Sequence, residues 1–250
     1  MTTLLTKTLL LDEKTSLELW QKDAFQQFNS LITDEQQLFP CLPAQIGYSS
    51  DHLRFAFAGD PREQQSIKTL AHILKEYSEC SRDTGNYASL VVFFHTPPDL
   101  KDYSVQQFEQ VFWETINNLT AYDEKPWPEH ISTKPEDASW EFCFNGEPFF
   151  CFCSTPSHSL RRSRYFPGFL LAFQPRWVFE KINKDTGLGQ KLKQTVRDRL
   201  KTYDDIEAHP SLSWYGEENN LEWKQYYLRD NQSTPAKCPF SQMMKSEIKD

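Results

Sequence analysis

The chain has 250 residues, 38% of them hydrophobic and 25% charged, a globular composition long enough for one large domain. A net charge of -8 leaves no basic surplus to displace counterions, which argues against nonspecific binding of nucleic acid. No apolar run approaches the roughly 20 residues that cross a bilayer, and the N-terminus has no small-residue cleavage site, so no membrane association and a cytoplasmic location are expected.

In chain order, Thr15 to Ser30 has helical spacing, with Leu17, Trp20, Ala24, Phe28 and Leu31 on one face and Thr15 with Glu18 as a capping box. Pro40-Cys41-Leu42-Pro43 breaks the chain. Leu53 to Ala58 alternates as a strand and closes at the Gly59-Asp60-Pro61 turn. Gln65 to Cys80 returns to helical spacing. Ala88 to His95 is a continuous apolar run, expected of a central strand covered on both faces. Ser104 caps a helix to Asn118 whose inner stripe is Phe108, Val111, Phe112, Thr115 and Leu119.

Residues 122 to 139 hold three prolines and many charges, so a long surface loop is expected there. Trp140 to Asn145 and Phe149 to Ser154 then read as a hairpin around Gly146. A strand over Gly168 to Phe173, a short helix over Pro175 to Lys181 and a helix over Gly189 to Tyr203 follow. The remaining residues read as irregular, with a disordered charged tail over about 241–250. Strands and helices alternate early and cluster later. The predicted fold is therefore α+β: a single domain with a mixed sheet and helices packed against it.

The chain carries 19 Phe, 10 Tyr and 7 Trp, enough rings to wall an apolar pocket for a flat ligand. Six cysteines in a reducing compartment should be free thiols, and Cys151 and Cys153 alternate toward one face of a strand, as core residues do. No CxxC pair, GxGxxG, Walker A loop, HExxH or GxSxG is present, so structural-zinc, nucleotide-fold and common hydrolase readings lack their motifs.

The most informative stretch runs from Phe149 through Thr155-Pro156, His158, Arg161, Arg162 and Arg164 to Gly168. A strand ends there at a turn and delivers one histidine and three arginines within ten residues. Histidine can ligate a metal or move a proton, and arginine forks onto carboxylates or phosphates. If the chain stays extended, Arg162 and Arg164 share the parity of His158, and Arg161 points the other way. Two further candidates are Cys41 and Cys238, each beside a proline that fixes a turn, since thiolates are good ligands for haem iron. His52, His72, His130 and His209 fall on surface patterns, and His95 ends the central strand.

Four pieces carry a resemblance over nearly the whole length: Phe39-Pro-Cys-Leu-Pro-Ala44, Cys153-Ser-Thr-Pro-Ser-His-Ser-Leu-Arg-Arg-Ser-Arg-Tyr-Phe166, Ala172-Phe-Gln-Pro-Arg-Trp-Val-Phe179 and Cys238-Pro-Phe240. Together they resemble the YqcI/YcgG family. Its members from natural-product pathways are haem-dependent oxygenases that hydroxylate a guanidine nitrogen. The resemblance implies haem b, with iron held by His158 or Cys41, or alternatively Cys238. Arg161, Arg162 and Arg164 would pair with its propionates. It also implies a small cationic substrate, a guanidine or amine, and electrons from a separate reductase. The alternative expectation is a non-enzymatic haem-binding or stress-related protein.

Overall fold

The computed structural model describes residues 3–181, 187–213 and 220–241. Its elements in chain order are α1 Lys7–Leu11, α2 Leu19–Ile32, α3 Leu42–Ser49, β1 Leu53–Ala58, α4 Gln64–Cys80, β2 Ser89–Phe94, α5 Pro98–Lys101 and α6 Val105–Thr120. Then come β3 Phe142–Phe144, β4 Glu147–Ser154, β5 Leu170–Pro175, α7 Arg176–Lys181, α8 Gly187–Tyr203 and α9 Trp223–Tyr226. The strands form one mixed sheet in the order β1-β2-β5-β4-β3. Only β1 and β2 run parallel, joined across α4, and the other pairs are antiparallel. The α+β expectation is met. The charged tail after Ser241 lies outside the described residues.

The alternation of side chains along each strand separates two cores. Leu90, Val92, Phe94, Phe149, Cys151, Cys153, Leu171 and Phe173 face α4, α6 and α9, in one cluster with Leu70, Phe108, Phe112 and Tyr226. Phe55, Val91, Phe93 and Leu170 face the other way, toward Leu10 of α1, Phe25 of α2 and Tyr48 of α3. The sheet is therefore covered on both sides, which is why β2 reads as an unbroken apolar run. Cys143, Cys151 and Cys153 are buried, and all six cysteines are free.

Local chemistry explains most of the boundaries. Ser104 accepts from Gln107 N–H, and Gln107 reaches back to the Ser104 N–H, which starts α6 with a capping box. The β3–β4 hairpin turns through Asn145 (φ 51°) and Gly146 (φ 76°), an Asn-Gly pair suited to two positive φ values. The expected cap on α2 is corrected. The capping box is formed by Glu18 and Gln21, because the Thr15 hydroxyl instead donates to the Leu9 carbonyl at 2.5 Å and closes α1.

Candidate functional site: a buried clamp and a polar cleft

Beyond Ser154 the chain does not continue as a strand. Asp230 accepts the backbone N–H groups of Ser159 (2.7 Å), Leu160 (3.0 Å) and Arg161 (2.9 Å). Asp204 accepts from the N–H of Ser163 at 2.7 Å and from its hydroxyl at 2.9 Å. These two carboxylates fold the segment over itself, and Arg162–Arg164 becomes a turn of 3-10 helix. Burial alone would raise the Asp230 carboxyl, but the three N–H donors outweigh it and hold it below its ordinary value. Burial prevails at Asp204, which is raised.

The 3-10 turn corrects the expected parity of the arginines. Arg161 and Arg164 are 1% and 4% exposed, whereas Arg162 is exposed. Arg161 donates to the carbonyls of Arg229 (3.0 Å), Glu207 (3.3 Å) and Asn231 (3.4 Å) and lies 3.8 Å from Asp204. Arg164 donates to the carbonyls of Gln225 (2.9 Å), Tyr226 (3.0 Å) and Cys153 (3.5 Å), and its guanidinium lies 4.1 Å from the centre of the Phe152 ring. Burial lowers both guanidinium pKa values, Arg164 to about 10. A buried cation is tolerated here because its N–H groups meet carbonyl oxygens.

His158 belongs to the same clamp. It is 2% exposed, its Nε2–H donates to the Leu228 carbonyl at 2.8 Å, and its Nδ1 accepts the Thr155 hydroxyl at 2.8 Å. The carbonyl fixes the proton on Nε2, so the imidazole is neutral with both nitrogens engaged. Its ring lies 5.4 Å from that of Tyr227, a residue of the core facing α6. His158, Arg161, Arg164 and Asp230 thus tie residues 225 to 231 to the turn after β4. The sequence treats that C-terminal strap as irregular. Its sole signal is an aspartate after an aromatic run.

Burial pushes the His158 and His209 imidazoles down to about 4 from an ordinary 6.5. His209, expected at the surface, is buried at 2% exposure and accepts the Ser211 N–H at its Nδ1. A lowered histidine pKa means that the unfolded chain binds the proton more tightly. Stability is therefore unaffected above 6.5 and falls as pH drops through 6.5 toward 4. For His158 the full cost is on the order of 3 kcal/mol. Glu222 acts with the opposite sign. Burial and the nearby Glu141 charge raise it to about 8 from 4.5, so its contribution declines as pH rises from 4.5 through 8. Thermal unfolding should fall steeply between pH 6 and 4, and Glu222→Gln should remove the decline on the alkaline side only. A melting temperature constant from pH 6 to 4 would contradict the buried, neutral histidines.

Haem does not fit the set of His158, Arg161 and Arg164. The histidine presents no lone pair to iron, and Arg161 and Arg164 spend their donors on the strap. Cys238 packs against the core facing α4 and α6, and burial raises its thiol to about 12. Cys41 differs. It is partly exposed at the N-cap of α3, beside Phe39 and Ala44, which pack on the opposite core. Burial raises its thiol, opposed by the Ala44 N–H and by the charges of Arg164 and Arg199. Among the described residues, no group of three or more His, Cys, Asp or Glu side chains could hold a metal ion.

On the α2 side of the sheet lies an open cleft of about 610 Å³, a size common for small-molecule sites. Asp23 and Asp34 line one wall, and Arg162, Tyr165 and Tyr203 the other. The Arg162 guanidinium lies 5.7 Å from the centre of the Tyr203 ring and donates to Gln37 Oε1 at 2.6 Å. Phe39, two residues before Cys41, meets Tyr203 edge-on at 6.0 Å. Arg162 is thus the expected arginine that faces a cleft, and the acidic wall has no readable signal, because Asp23 sits on the exposed face of α2 and Asp34 in the loop just after it.

These features define a single α+β protein with a mixed sheet, a clamped C-terminal strap and a polar cleft beside α2. The chain belongs to the YqcI/YcgG family, whose model matches residues 28–241. It is 48% identical over 97% of its length to the uncharacterized protein YqcI of Bacillus subtilis (strain 168), covering 96% of that protein. It is 49% identical over 94% to YcgG of the same strain, covering 94% of it. It is also 34% identical, over 89% of this chain and 84% of the other, to a Streptomyces lavendulae protein, DcsA, provisionally named an N(omega)-hydroxy-L-arginine synthase. No solved structure matches the chain. No helix among the described residues is long and apolar enough to cross a membrane.

Proposed function

We propose that this protein is an N-oxygenase that hydroxylates a guanidine or amine nitrogen of a small cationic molecule. The observation that carries the reading is the 34% identity, over 89% of the chain, to a relative whose name specifies N-hydroxylation of arginine. The cleft supports it, because Asp23 and Asp34 give a cation two carboxylates to approach. The overall reaction balances with dioxygen, two electrons and two protons. One oxygen atom enters an N–H bond to give N–OH, and the other leaves as water. The electrons come from a separate reductase, since the chain has no flavin or nicotinamide motif.

Haem b is the proposed oxygen-activating group, and Cys41 the residue that holds it. A thiolate ligand favours oxygen activation when haem is bound. Burial raises the Cys41 thiol overall, and the Ala44 N–H and the charges of Arg164 and Arg199 act against that rise, so the iron itself would have to supply the rest of the stabilisation of a thiolate. The clamp keeps Arg164 fixed in that position from the other side. The protein, supplied with hemin, dioxygen and a reductase, should convert a guanidine compound to a product carrying one more oxygen. Haem uptake without any such product, across a panel of guanidines and amines, would contradict the reading.

A further inference from the structure

The geometry points to the cleft beside α2 as a site for an α-amino acid with a cationic side chain, with Arg162 and Asp34 holding its head group and Asp23 its distal cation. The inference rests on the N-oxygenase reading for its biological sense, but not for its evidence.

Opposite charges line this cleft without pairing to each other. Among the described residues Asp23 has neither a hydrogen-bond nor an ion-pair partner. Arg162 gives one N–H to Gln37 and makes no ion pair among the described residues, which leaves donors at the cleft that it lines. A carboxylate and a guanidinium that share a cleft but do not meet are matched by a ligand that carries both signs.

The charges are also ordered along the cleft. Gln37 ties Arg162 to Asp34: its side-chain oxygen accepts from Arg162, and its backbone N–H donates to Asp34 Oδ1 at 3.0 Å. The Tyr203 hydroxyl feels both groups, lowered by Arg162 and raised by Asp34, although burial is its main influence. A cation and an anion side by side suit the carboxylate and ammonium of an amino-acid head group. Asp23 stands eleven positions earlier. At 1.5 Å per helical residue the stretch of α2 from Asp23 to Ile32 alone spans roughly 13 Å, far enough for a distal charge on an extended ligand. Tyr203 and Tyr165 supply flat faces for the methylene chain and a guanidinium plane.

The site should discriminate carboxylated from decarboxylated guanidines. Calorimetric titration of the full-length protein with L-arginine and with agmatine, which lacks the carboxylate, is the test. Wild type should bind L-arginine at least tenfold more tightly. Arg162→Gln should abolish that preference by weakening L-arginine alone, and Asp23→Asn should weaken both ligands. Both residues are exposed, so neither change should disturb the fold. Equal affinities in wild type, no binding of either ligand, or variants without effect would overturn the site. Failure of the N-oxygenase reading looks different: the binding pattern would hold while no oxygenated product formed. If product formed at wild-type rates in both variants, the cleft would fail and the reaction would stand.

Discussion

Arg164→Ala and Arg161→Ala should each destabilise the protein by about 3 kcal/mol, whereas Arg162→Ala should change stability by no more than about 0.5 kcal/mol. The three residues are consecutive or nearly so, yet they have different jobs. Removing Arg164 leaves the carbonyls of Gln225 and Tyr226 buried without their donors, and removing Arg161 empties the space of a side chain that is 1% exposed and takes donors from the partly buried carbonyls of Arg229, Glu207 and Asn231. Little of the loss at Arg161 should come from its contact with Asp204. Burial disfavours the charge on both partners, and Asp204 keeps the two Ser163 donors. For a chain of this size the two buried changes should lower the melting temperature by roughly 6–12 °C. Equal losses from all three variants would mean that the 3-10 turn does not separate them.

Cys41→Ala should abolish haem uptake, and His158→Asn should retain it in whatever fraction folds. The largest spectroscopic contrast lies here, because thiolate and imidazole ligation give different ferrous-CO spectra. The basis is geometric. His158 already gives one nitrogen to Thr155 and the other to Leu228, so ligation would require it to leave the clamp. Cys41 carries no such commitment. A spectrum unchanged in Cys41→Ala but lost in a folded His158 variant would reverse the assignment.

The sequence made the sheet legible and the clamp illegible, for a common reason. The apolar run of β2, the Ser104 cap of α6 and the Asn145-Gly146 turn are local signals, set by residues within a few positions of one another. Alternation likewise placed Cys151 and Cys153 in the core. The course of the chain after Ser154 is decided by Asp204 and Asp230, 41 residues from Ser163 and 70 from Leu160. No periodicity reports such acceptors, so an extended continuation was the natural expectation, and it put Arg162 and Arg164 on one face. His158 was singled out for the right reason, a polar group at the end of a rigid strand. That position is equally suited to fastening a strap. Asp23, on the outer face of α2, and Asp34, in the loop after it, have no pattern in the sequence that separates binding from solvation.

In the proposed reaction an oxygen atom from dioxygen is placed on a substrate nitrogen. A single-turnover reaction under heavy-isotope dioxygen tests it most directly, with reduced, hemin-loaded protein and L-arginine analysed by mass spectrometry. One labelled oxygen is expected in an N-hydroxylated product, and none in a mock reaction lacking reductant. Dioxygen consumption with the guanidine recovered unlabelled and unchanged would contradict it.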